Sequence, residues 1–134
     1  MNWKLIFGLS MFGLVMAFAT ISLIPANIEQ FVWPVIMLVC AYLVAVNAPG
    51  KYFLHGFLIC LLNCLWITSA HIAFATTYLA NHTMEANHYA EFNKNGGLTA
   101  RQAMLVMGPM IGIVSGLVLG LFSFAASKVF RKHG

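Results

Sequence analysis

Polar residues are unevenly spread along this chain. Four long apolar stretches, at about 5–24, 31–46, 52–79 and 102–127, are separated by short polar ones. Within each stretch the apolar residues leave no polar stripe, so the helices they form are apolar all round and belong in lipid. About 20 helical residues cross a hydrocarbon core of ~30 Å, and each stretch comes near or exceeds that length. Pro25 ends the first, because proline disfavours helix in the residue before it. Asn27-x-x-Gln30 reads as a capping box for the second, with Pro34 tolerated in its first turn. "NAPGK" at 47–51 is a tight turn. The third stretch exceeds what a bilayer needs, so it tilts or protrudes. No Gly or Pro lies between Gly56 and Gly96. Helix three therefore either continues through "ANHTMEANHYAEFN" or gives way to a short helix capped by Thr83. "NGG" at 95–97 stops either version. Thr99-x-x-Gln102 is a second capping box, and Pro109 should kink the helix it opens by depriving the Leu105 carbonyl of its partner.

The pattern predicts an all-α membrane protein of one domain. Its four transmembrane helices form two hairpins, with an outer segment at 80–101. Composition agrees: of 134 residues 61% are hydrophobic and 7% charged, against about 25% charged in a soluble domain. The first stretch is long for a signal peptide and no A-x-A site follows, so it is expected to be a retained span. The net charge of +4 does not point to nucleic acid, because the basic residues sit at the ends of apolar stretches. Lys4, Lys51, Lys128, Arg131 and Lys132 fall on one side. Lys94 and Arg101 fall on the other, with Glu29, Glu85 and Glu91. The positive-inside rule then places both termini in the cytoplasm. Cys40, Cys60 and Cys64 lie in apolar stretches without metal-type spacing and read as small packing residues.

Gly108, Gly112, Gly116 and Gly120 recur every fourth residue along the last stretch. Residues four apart lie nearly on one helix face, so the glycines make a groove. Close backbone contact drives helix association in lipid, and such a face permits it. Its partner is expected to be either the first helix, through Gly8 and Gly13, or a second copy of the chain.

Two groups of polar residues are candidates for chemistry. Asn63, Thr68 and His71 lie on the third stretch, with Cys64, Thr68 and His71 on one face. They line a solute or ion path, or they are hydrogen-bonding residues that fix the bundle. A haem would need axial ligands from facing helices, whereas His55 and His71 share one helix. In the outer segment, His82, Glu85 and His88 would share one face of a continuous helix. With Met104 and Met107 nearby, their softness suits copper. The alternative is a solvated helix resting Tyr89 and Phe92 on the interface. Asn81-His82-Thr83 is a glycosylation sequon, relevant only in a eukaryote.

No Asp or Glu falls inside an expected span, and no nucleophile elbow or phosphate-binding loop is present, so neither an enzyme nor a resident cofactor is expected. "APGKYFLHG" (48–56) and "GPMIGIVSGLVLGLFSFAASK" (108–128) resemble segments of small four-span bacterial integral membrane proteins to which no activity is assigned. The resemblance implies a bacterial inner-membrane setting and carries no site residues. The expected role is non-catalytic, structural or accessory, with lipid, another membrane protein or a second copy as partner. The alternatives are a small-solute channel or transporter and a copper-handling protein.

Overall fold

The computed structural model describes residues 1–130, and every described element is helical. These are α1 (Trp3–Ser22), α2 (Ala26–Asn47), α3 (Tyr52–Ala73), α4 (Ala75–Asn81), α5 (Thr83–Gly96) and α6 (Ala100–Phe130). Helices α1, α2, α3 and α6, of 20, 22, 22 and 31 residues, are long and apolar enough to cross a membrane. Arg131 and Lys132, which enter the charge argument, lie outside the described residues.

Several boundaries depart from expectation. Helix α2 starts at Ala26, because the Pro25 carbonyl accepts from the amides of Ile28 and Glu29. Asn27 therefore sits inside the first turn rather than capping it, and Gln30 merely reaches back to its carbonyl. Pro34 accordingly falls in the helix interior, where the Gln30 carbonyl has no amide to receive. The third stretch does not run unbroken to 79. It breaks at Phe74, where the backbone leaves helical geometry, and resumes as α4. By then about 33 Å of helix has been laid down at 1.5 Å per residue, enough to cross a bilayer. The outer segment is a separate helix, α5, preceded by His82; Thr83 is its first residue and not its cap. Gly97, with φ 67°, ends it in the left-handed conformation that glycine adopts freely. The second capping box forms as expected: the Thr99 amide donates to Gln102 Oε1 (2.9 Å), and the Gln102 amide donates to Thr99 Oγ1 (3.3 Å). Helix α6 runs unbroken through Pro109.

The most extensive helix contact is between α3 and α6; α1 packs mainly on α3, and α2 mainly on α6. The glycine face is the reason α6 approaches α3 so closely. A Cβ on Gly112 would stand 2.7 Å from Cys64 Cβ, and one on Gly116 or Gly120 would stand 2.8 Å from the ring of Phe57 or Phe53. At Gly108 it would meet the Thr68 side chain. The glycine face thus packs against α3 within the chain, and not against α1. Gly13 of α1 lies against Asn63, while Gly8 faces open space. The rising α6 numbers meet falling α3 numbers, so these helices run antiparallel. Ile6, Val44, Ile59 and Leu119, all at most 1% exposed, join the four long helices in one core. Large apolar side chains such as Val15, Leu38 and Leu121 point outward, as lipid requires.

Candidate functional site

Helix α2 leans on α6 and touches α3 little. The gap this leaves is a cavity of about 410 Å³ between α2, α3 and α6, roofed by α4 and α5. The three α3 residues singled out from the sequence, Asn63, Thr68 and His71, all line it, as does Cys64 on the same face. Gly108 and Gly112 are also on its wall, whereas Gly116 and Gly120 lie wholly within the α3–α6 seam. A neighbouring hollow of about 560 Å³ shares Glu85, Tyr89, Met107 and Ile111 with the first, so the two adjoin at the α5 end.

The roof is built as a stack. The His71 and Tyr78 rings lie 4.0 Å apart between centroids, and Tyr78 and His82 lie 4.2 Å apart, all nearly parallel. The break at Phe74 makes this stack possible by offsetting α4 from α3. Tertiary contacts hold the offset: Phe74 packs edge-on against Phe18, and the Asn81 amide donates to the Ile21 carbonyl at 2.8 Å. At the inner end, the Thr20 hydroxyl donates to the Ala17 carbonyl at 3.1 Å. Its oxygen therefore accepts from His71 Nε2, 3.2 Å away, and the neutral ring keeps its lone pair on Nδ1. Cys64 is similarly committed, its thiol donating to the Gly108 carbonyl.

At the outer end His82 is fully buried. Its Nδ1 is 3.0 Å from the Tyr78 carbonyl, which can only accept, so Nδ1 carries a proton. Its Nε2 is 3.1 Å from Glu29 Oε2. A bare Nε2 and a carboxylate would be two acceptors face to face. The contact therefore holds one further proton, giving either an imidazolium–carboxylate pair or a neutral imidazole against a carboxylic acid. Trp33 Nε1, one turn along α2, donates to the other Glu29 oxygen at 3.0 Å.

Glu29, Trp33 and Tyr78 were not anticipated as site residues. From the sequence, Glu29 falls within the capping box ahead of the span and enters only the charge balance, which leaves its i, i+4 relation to Trp33 undrawn. The expectation that no Asp or Glu falls inside a long apolar helix is corrected at Glu29, which lies in α2 and, with Glu85 of α5, lines the cavity. The outer trio also rearranges. His82 is outside α5 and turned to Glu29, Glu85 lines the cavity, and His88 is exposed on the adjoining hollow. The 3–3 spacing failed because it presupposed one continuous helix. Among the described residues no three His, Cys, Asp or Glu side chains converge on a metal position. Tyr89 also lies on the wall. Burial, and secondarily the Glu85 carboxylate, push its phenol above the usual tyrosine range, so it is an uncharged hydroxyl there.

Comparison with protein-family models, curated proteins and solved structures finds no match for this chain. The fold defines a class: an all-helical protein with four helices long and apolar enough to cross a membrane, three of which, α2, α3 and α6, border a partly polar cavity.

Proposed function

We propose that the chain is a non-catalytic integral membrane protein that takes a small solute into the cavity between α2, α3 and α6, as a binding protein or carrier. The cavity itself carries this reading. Its volume, about 410 Å³, falls in the ~300–1,000 Å³ range of small-molecule pockets, and it has the expected mostly apolar wall with few polar groups. A purely structural bundle has no use for such a gap, since interiors pack with few voids larger than water. Asn63, Thr68 and His71 then contact the solute, and His71 also ties α3 to α1 through Thr20. The basic residues of the termini and of the 47–51 turn support an inner-membrane protein with both termini cytoplasmic. The end of the cavity at Glu29 and Glu85 then faces outward.

Native mass spectrometry of the protein extracted from its own membranes tests this. A retained small molecule, lost in a Ser115→Trp variant that fills the cavity, is the expected result. A bare chain in both forms would leave the structural or accessory role.

A further inference from the structure

The charges on the cavity wall are lopsided. Glu29 and Glu85 line it, and among the described residues no lysine or arginine does. The two carboxylates differ in how they are answered. Glu29 receives Trp33 Nε1 on one oxygen and faces His82 on the other. Glu85 has no salt-bridge partner among the described residues, and its Oε2 is buried without a hydrogen-bond partner. A buried carboxylate oxygen with nothing to accept from is costly, and Glu85 lies where the cavity meets the adjoining hollow. Further along the wall, His71 adds a lone pair on Nδ1, because its Nε2 is committed to Thr20. The rings of Trp33 and Tyr89 stand on the same wall and add no charge, and aromatic faces attract cations.

Resting on the small-solute reading above, we infer that the cavity takes an organic cation with an apolar body, its positive centre held by Glu85 and its body among Trp33, Tyr89 and the aliphatic wall. A bare metal ion fits less well. Cys40, Cys60, Cys64 and the methionines of the wall offer soft sulfur, but the volume is many times that of an ion and no three-ligand group converges among the described residues.

Two probe ions of matching shape and opposite charge, tetraphenylphosphonium and tetraphenylborate, separate charge from hydrophobicity. Equilibrium dialysis of the full-length protein in detergent should show saturable binding of the cation at one site per chain and none of the anion. Glu85→Gln keeps the side-chain shape on a partly exposed helix turn and should weaken cation binding about tenfold or more. Equal binding of both ions, or cation affinity within twofold on Glu85→Gln, overturns the inference. If neither ion binds while a native small molecule is still displaced by Ser115→Trp, the cation inference falls and the small-solute reading stands. If no molecule is retained and no ion binds, both fall.

Discussion

The two ends of the bundle are each held by a buried histidine, and the two histidines share their first bond. His55 Nδ1 donates to the Lys51 carbonyl and His82 Nδ1 to the Tyr78 carbonyl, both at 3.0 Å and both four residues back. Their second bonds differ. His55 Nε2 accepts the Asn2 amide at 2.9 Å, so a neutral ring meets one donor and one acceptor and is complete. His82 Nε2 faces a carboxylate and is complete only with an added proton. The first end is closed, with Gly116 and Gly120 tight against Phe57 and Phe53. The second is hollow and lined by the carboxylates of Glu29 and Glu85. Burial of a histidine therefore says little about its role; whether its partners donate or accept decides whether it only ties helices or also holds a proton beside a cavity.

The closed end should be the less tolerant. Gly116→Ile would place a Cβ 2.8 Å from the Phe57 ring and 3.1 Å from its carbonyl oxygen. Forcing a branched side chain into that seam should cost about 3 kcal/mol or more and drive α6 off α3. Gly8→Ile, where nothing lies within 4 Å, is the matched control. Chemical unfolding in detergent should show the first variant unstable and the second near wild type. Monomer–oligomer dissociation of a still-folded Gly116→Ile protein would instead restore the glycine face as a seam between copies.

At the hollow end the largest effect should come from Glu29. Glu29→Leu leaves His82 Nε2 and Trp33 Nε1 without a partner and should cost about 2–4 kcal/mol. Glu29→Gln is milder: its amide donates to a neutral His82 while its carbonyl accepts from Trp33, so about 1 kcal/mol or less should be lost. Thermal unfolding of the two variants side by side checks this. A Gln variant as unstable as the Leu variant would mean that full charge, and not hydrogen-bond matching, holds α4 to α2.

Much of this frame was legible in the sequence because lipid imposes it. All-round apolar stretches, the Thr99–Gln102 box and the glycine stop at Gly97 are local signals, and they appear where local physics puts them. The α3 face bearing Cys64, Thr68 and His71 was legible from helical spacing alone, and all three reach the cavity. What escaped depends on contacts distant in sequence. Phe74 carries no helix-breaking signal; its break is made by Phe18 and by Asn81 reaching Ile21. Glu29 and His82 are 53 residues apart and meet only through the tertiary packing of the helices. Asn27 and Gln30 read as the cap of the second helix, whereas they lie inside the first turns of α2, which starts at Ala26. In each case tertiary packing overrode the composition of a short window.

The smallest effect should separate the two histidines. His55→Ala frees the Asn2 amide at the first turn of α1, while the Lys51 carbonyl loses the ring but keeps the backbone amide of residue 55, which donates to it at 3.1 Å. Asn2 keeps a further tie through its side chain, which accepts from the Leu5 amide at 3.1 Å. The released amide lies at the first turn of α1, where water replaces the lost bond at modest cost. The loss should be about 1–2 kcal/mol, and fast hydrogen exchange should spread no further than the first turns of α1 and α3. Because that end is glycine-sealed, the cavity and any binding in it should be unchanged. Exchange that instead reached α4, or a change in cavity occupancy, would show that the two ends are coupled through α3 and that His55 belongs to the site after all.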